Sequence, residues 1–431
     1  MILLPRRLAG LGGRRVRRAR PARAGTRVWR STYGILVLVG VGLAGAAATG
    51  LAGGQQGHVL PDDYWRLPLA EQGPAPQNWS ESERSLAPEV CGTCHADRYE
   101  EWRTSLHAQA FSPGLVGQLL TFDAAQAAGC MECHAPLAEQ RLAFEAARAR
   151  NEAHSPAGQG LAAAGNGCAG CHLRGHRRFG PPDRETGATG PGGVDAPHGG
   201  VFRTADFEAS EFCGTCHQFP QAAAVNGKPL QNTYAEWRTS PASARGITCQ
   251  GCHMPDRRHL WRGIHDPAMV ISGLTADFGT DAQKARFTLT NSGVGHAFPT
   301  YITPSVAMRA VALDAAGRPR PDTAVSRIIR RVVAFAAGRW VERSDTRLMP
   351  GESVALDLPW GDSNRIRMWL EIHPDDYYDN EVYDALLGTL PAEGSAARLI
   401  EQADARAAAS RYRLFERDLE RPERTDPVMA P

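Results

Sequence analysis

Hydrophobic and polar residues fall into four regimes along the chain. Residues 33–53, YGILVLVGVGLAGAAATGLAG, run for 21 positions without a charge. That is long enough for one helix to cross a bilayer, although its Gly and Ala content makes it weakly apolar. Residues 89–275 show little sustained periodicity and are broken by Gly and Pro, most densely over 180–200, GPPDRETGATGPGGVDAPHGG, which is expected to wrap over a bound group. From residue 276 the pattern changes. ARFTLTNSG, SVAMRAVALDAAG, RIIRRVVAFAAGRWV, ESVALDLPW and RIRMWLEIH alternate apolar and polar residues between Gly and Asp breaks. Alternation of this kind predicts half-buried antiparallel strands, here a small sandwich-like domain over 276–374. The last regime, 375–431, holds EVYDALLGTL and ARLIEQADARAAASRYRLFERDLE, whose apolar spacing predicts helices packed back on the body. The fold class expected is α+β: a mainly helical and irregular domain, then a β domain, then C-terminal helices.

Charge divides the chain unevenly. Ten arginines and no acidic residue lie in 1–32, a basic tail expected to stay cytoplasmic with 33–53 as anchor and the rest outside. A cleaved signal segment ending near Ala46–Ala48 is the other reading, and it too exports the body. Beyond residue 32 the remaining 38 basic residues face 46 acidic ones, so the body is acidic and a basic protein partner fits it better than nucleic acid. Residues 54–88, rich in Gly, Pro and Gln, read as a linker.

The cysteines carry the chemistry. All ten fall into five CxxC pairs: Cys91 with Cys94, Cys130 with Cys133, Cys168 with Cys171, Cys213 with Cys216, and Cys249 with Cys252. A histidine follows each pair at once: His95, His134, His172, His217 and His253. Zinc sites use CxxC pairs in twos and disulfides need only an even count, so neither explains five adjacent histidines. The spacing is that of covalent c-type haem attachment, in which two thiols bond the porphyrin vinyls and the next histidine ligates the iron. Five covalently attached haem c groups are therefore expected, and they would supply much of the apolar core of 89–275.

A low-spin haem needs a second axial ligand, and neutral imidazole serves well. Four further histidines are the candidates. His107 follows a phrase with helical character, His198 lies in the Gly/Pro loop, His265 lies just beyond the fifth motif, and His296 sits in the glycine-rich turn NSGVGHAFPT. His154, His176 and His259 read as solvent-exposed by default, and His58 and His373 as structural.

One phrase occurs twice. CGTCH at 91–95 is followed by YEEWRTS at 99–105, and CGTCH at 213–217 by YAEWRTS at 234–240. This reads as an internal duplication in which motifs one and two correspond to motifs four and five, with CAGCH as a separate third. Asp97 with Glu100, and Thr233 with Glu236, have capping-box spacing, and the first helix could run on through His107. Trp102 and Trp237 read as haem-packing aromatics, Arg103 and Arg238 as partners for the haem propionates.

Over roughly residues 89–300, CxxCH followed by WxxSxHA, the CHMP word and the later GHAFPT turn resemble the tetrahaem cytochrome c and hydroxylamine oxidoreductase superfamily. The resemblance implies closely packed haem pairs, mostly bis-histidine ligation and periplasmic electron transfer, with His107 and His296 as distal ligands. The chain departs from that pattern where the second phrase lacks its histidine. It also has no CxxCK site like that of pentahaem nitrite reductases, and no eight-haem array. The function expected is electron transfer between a membrane donor, such as a quinol-linked protein, or another cytochrome, and a periplasmic or outer acceptor. The alternatives are an oxidoreductase acting on a small nitrogen or sulfur oxyanion at one five-coordinate haem, and a β domain that docks a fixed haem relay into a larger complex.

Overall fold

A computed structural model describes residues 60–193, 196–336 and 339–423. The basic tail and the uncharged stretch 33–53 lie outside the described residues. Among the described residues no helix is long and apolar enough to cross a membrane.

The C-terminal half is built from nine strands. They are β1 (Leu274–Thr280), β2 (Lys284–Asn291), β3 (Ser305–Leu313), β4 (Val325–Ile329), β5 (Arg331–Ala336), β6 (Arg339–Asp345), β7 (Ser353–Pro359), β8 (Arg365–His373) and β9 (Tyr412–Glu420). One antiparallel sheet has the order β4-β3-β8-β9 and a second the order β7-β2-β1, while β5 and β6 form a separate hairpin. Alternate residues close the core between the sheets. Phe287 and Leu289 come from β2, Val306, Met308 and Ala310 from β3, and Ile366, Met368, Leu370 and Ile372 from β8. Burial of each large side chain among them contributes about 1.5–3 kcal/mol. The period-2 pattern of the sequence is thus the inner face of a sandwich.

Tyr412–Glu420 departs from expectation, because the helical spacing read there belongs to a strand. Leu414 pairs with Leu370 and Arg417 with Met368, so β9 spends one more residue than β8 over the same stretch. That bulge includes Phe415, whose φ is +53°. It shifts the apolar alternation by one place and so imitates a helical repeat. The preceding helix Ser395–Ala409 does form, and its Ile400 and Ala403 lie against Gly117 and Gly114 of the helix Pro113–Leu119.

The N-terminal half has short helices joined by long turns. Four matter below: α1 (Ala96–Arg103), α2 (Ala124–His134), α3 (Glu211–His217) and α4 (Thr233–Arg238). The described part of the stretch read as a linker packs against this half. Leu69 joins Leu137, Ala169 and Leu173 in one apolar cluster, and the Tyr64 hydroxyl donates to the Cys171 carbonyl.

Candidate haem-binding site

Four of the five CxxCH motifs lie wholly within a short helix, which turns both thiols to one side and carries the histidine at its C-terminal end. The first motif departs from this pattern. Its helix, Pro88–Gly92, holds Cys91 but stops before Cys94. Cys94 is exposed, and the Thr93 hydroxyl lies 3.9 Å from its sulfur. The helix therefore ends between the two thiols of this pair. The assignment of Cys94 to the first haem rests on the motif spacing. Cys252 is exposed as well, although its helix is complete. No disulfide joins any of the ten cysteines. Among the described residues no group of three or more Cys, His, Asp or Glu is arranged to hold a metal ion by itself.

Imidazoles come together in three pairs. His107 and His217 have ring centres 6.2 Å apart, His172 and His259 6.2 Å, and His253 and His296 6.4 Å. An iron that takes two imidazole nitrogens at about 2 Å each sets ring centres roughly 6 Å apart. The residues present therefore fit bis-histidine haem at three motifs. A fourth association is looser: His198 lies within electrostatic reach of His95.

Hydrogen bonds at the ring nitrogens distinguish several of these histidines, although His217 Nδ1 meets Gln231 Nε2, at 3.4 Å, and not a carbonyl. A ring that donates Nδ1–H to a backbone carbonyl leaves Nε2 free for a metal. His134 meets Ala110 O in this way at 3.0 Å, His172 meets Phe179 O at 2.7 Å, and His253 meets Arg262 O at 2.7 Å. Outside the motifs His259 meets Arg257 O at 3.1 Å, His296 meets Ala297 O at 2.9 Å, and His198 meets Gly200 O at 3.3 Å. His265 differs, because its Nε2 is engaged by Asp375 Oδ2 at 3.0 Å. It faces no motif histidine, contrary to expectation, since the turn after Ile264 directs it to the carboxylate that opens the C-terminal segment. His176 likewise spends Nε2 on Gly73 O, and His373 is flanked by Asp376 and Asp379.

Burial favours the neutral form of His107, His172, His217, His259 and His296, as iron ligation requires. It pushes His107 down to about 3, helped by the neighbouring His217 and His134. Burial also takes His217 and His259 down to about 4. Trp261 stands between two of the distal rings, 4.6 Å from His107 and 5.1 Å from His259.

Spatial order is not chain order. The thiols of Cys91 and Cys168 lie side by side, and so do those of Cys213 and Cys249. Cys133 adjoins Cys216, and Cys171 is within electrostatic reach of Cys213 and Cys216. The motifs thus run one, three, four, five, with the second joined at the fourth. Within the first motif it is Cys91 that meets the next motif, while Cys94 faces solvent at the end of the row.

This order revises the duplication. The Trp102 indole donates to Asn166 O at 2.8 Å, two residues before Cys168, and the Trp237 indole to Ile247 O at 2.9 Å, two residues before Cys249. Tyr99 lies over Gly92 and Tyr234 over Gly214, so closely that a Cβ at either glycine would come within 3.0 Å of the ring. That contact accounts for the word CGTCH in both copies. The equivalent pairs are motifs one and three and motifs four and five. The second motif rides on a segment inserted after the first phrase.

Other details differ from the sequence reading. Neither capping box forms at α1 or α4, and α1 ends at Arg103, before His107. Arg103 pairs with Glu100 and Arg238 lies over the Tyr234 ring. His259 is the residue that the sequence reading took for solvent-exposed by default. Its neighbours, PDRRHLWRG, offer no glycine turn or helix to mark it, and its role rests on a partner 87 positions earlier in the chain.

The second motif stands apart. No imidazole faces His134 among the described residues. Instead the buried hydroxyls of Tyr301 and Tyr378 lie within electrostatic reach of Cys130, and burial pushes both above the usual phenol range, Tyr378 to about 12. Tyr301 adopts φ +66°, an unusual conformation for a bulky residue, in the turn that carries His296.

A family model described as cytochrome c554 and c-prime matches residues 90–172, the span of the first three motifs. No curated protein matches the chain in sequence. Among solved structures, a penta-heme cytochrome c552 from Thermochromatium tepidum is similar in fold, with a TM-score of 0.51 and 20% identity over 73% of this chain and 96% of that one. With the motifs on the page, these likenesses support a multihaem c-type cytochrome.

Proposed function

We propose that the chain is a periplasmic pentahaem electron carrier, held to the cytoplasmic membrane by residues 33–53. In this reading each of the five cysteine pairs carries one haem c, and His95, His134, His172, His217 and His253 are the proximal ligands. His198, His259, His107 and His296 complete the first, third, fourth and fifth haems. Bound haem supplies a ferric–ferrous couple that takes up and releases one electron at a time. The chain's own part is to fix ligation, exclude water and keep the groups in contact. The observation that carries the proposal is the unbroken succession of adjacent motifs, one to three to four to five. The acidic body favours a basic face on the redox partner, either a quinol-linked membrane protein or another cytochrome. Rapid-mixing reduction by a stoichiometric one-electron donor tests it. All five haems should reach equilibrium with one another faster than with the donor. A motif that fills only by its own slow reaction with the donor would contradict a continuous relay.

One observation favours a second reading. Among the described residues His134 lacks a facing imidazole, and two tyrosine hydroxyls lie near its motif. An iron left open there could act on a small nitrogen or sulfur oxyanion, with Tyr301 or Tyr378 as the nearby hydrogen-bond donor. Carbon monoxide binding by the reduced protein, with turnover of nitrite, hydroxylamine or sulfite, supports that reading. A protein inert to all four is a carrier alone.

A further inference from the structure

The histidines proposed as distal ligands share a feature besides their rings. The backbone at or beside each of three of them is held by a glutamate from a distant part of the chain. Glu83 Oε1 accepts from His198 N–H at 2.8 Å. Glu101 Oε2 accepts from His259 N–H at 2.8 Å. Glu236 Oε2 accepts from the N–H of Ala297, beside His296, at 3.2 Å. Glu101 and Glu236 occupy the same place in the repeated phrase YxEWRTS, so the duplication preserves the contact.

We propose that Glu83, Glu101 and Glu236 are positioning residues that fix the distal histidines. The proposal rests on the ligand assignment above and extends it. An axial imidazole has two orientational freedoms, the torsion of its ring and the path of its backbone. The Nδ1–H bond to a carbonyl settles the first at His198, His259 and His296. A carboxylate on the backbone N–H settles the second. A charged acceptor makes a stronger bond than a neutral one, which suits turns with few other restraints. His198 and its flanking loop need such a tie, since the residue itself sits at φ +50°. His259 follows two left-handed residues, Asp256 and Arg257, each at φ +56°. The three glutamates are themselves held. Ser80 hydrogen-bonds Glu83, Arg98 and Arg258 hydrogen-bond Glu101, and Arg347 forms a buried ion pair with Glu236 at 3.1 Å. That last contact is ionic rather than a well-aligned hydrogen bond, since Glu236 Oε1 has no hydrogen-bond partner. The arrangement also links neighbours: the helix after the first motif holds the distal histidine of the third, and the helix after the fourth holds that of the fifth.

The test uses electron paramagnetic resonance of the haem-loaded protein. His259→Ala identifies the low-spin signal of the third haem by abolishing it, and His198→Ala and His296→Ala do so for the first and fifth. Glu101→Ala should displace the g-values of the signal that His259→Ala abolishes and leave the others unmoved. Glu101→Gln, which keeps a carbonyl acceptor, should restore them. Glu83→Ala should act in the same way on the His198 signal. For Glu236 the double variant Glu236→Ala with Arg347→Met avoids a buried unpaired charge and should displace the His296 signal. Wild-type g-values in Glu101→Ala, beside a changed His259→Ala spectrum, overturn the clamp alone. A displacement of a different haem, or Gln behaving like Ala, overturns it too. A His259→Ala spectrum equal to that of the wild type overturns the ligand assignment, and the clamp with it.

Discussion

The two copies of the repeated unit solve the same packing problem with different electrostatics. In both, a tyrosine covers the glycine of CGTCH, a tryptophan ties the helix to the loop before the next motif, and a glutamate meets the backbone at or beside a histidine that faces a motif histidine. In the first copy the glutamate is itself 14% exposed, but its cations, Arg98 and Arg258, are 40% and 52% exposed. In the second it is buried, and its cation, Arg347, is only 3% exposed and comes from the β domain together with His296. The second copy therefore depends on the sandwich, whereas the first is completed by its neighbour, through His259. A duplicated unit has kept its contacts and changed what supplies the far side of them.

The largest break in that comparison is expected from His107. It belongs to the first phrase in sequence but faces His217 of the second copy. His107→Ala should convert one low-spin haem to high-spin, and that haem should be the one attached at Cys213 and Cys216. An unchanged low-spin count would remove the cross-link between copies.

Next comes the buried ion pair. Arg347→Ala leaves Glu236 without its cation and is expected to cost about 3–5 kcal/mol. Arg258→Ala, which removes an exposed partner of Glu101, should cost no more than about 1 kcal/mol. Thermal or denaturant unfolding of the two variants measures the difference. Equal losses would show that the copies do not differ in the way burial implies.

The tryptophans give a smaller contrast. Trp102 is buried and Trp237 only half-buried. Trp102→Phe should lose about 1 kcal/mol through its unpaired carbonyl acceptor, and Trp237→Phe less, since water can replace its indole at Ile247 O.

The smallest effect is one of pH. Asp345 joins Arg347 and Lys228 at the edge of the second copy. Burial alone would raise its pKa, but hydrogen bonds and charge from Arg347 and Lys228 outweigh that and hold it below the ordinary 3.8. A carboxyl with a depressed folded pKa binds a proton more readily when unfolded. Its contribution is therefore complete above 3.8 and is lost as the pH falls below that value. Asp345→Asn should flatten the acid side of the melting-temperature profile, and an unaltered slope would exclude this group as its source.

How much of this was legible in the sequence depended on whether the information was local. The CxxCH words are local, and so is the alternation from Ala285 to His373, which became the sandwich. Identical words still differ in setting: the helix runs through Cys216 in the second CGTCH but ends before Cys94 in the first. The repeated phrase was visible too, but its partners were not. An inserted segment carries the second motif between Trp102 and Cys168, so chain order pointed to the wrong pair. Glu236 had the spacing of a helix cap and is instead turned to the Ala297 amide. His259 and His265 lie six residues apart, and only the fold shows that the first faces His172 while the second spends its Nε2 on Asp375. At β9 a single bulge at Phe415 disguised a strand as a helix.

The central claim is that four motif histidines have an imidazole partner and that His134 has none among the described residues. Spin quantitation of the fully oxidised protein, with five covalent haems established by mass, tests it most directly. The account expects four low-spin haems and one high-spin haem. Five low-spin haems, or more than one high-spin haem, would contradict it.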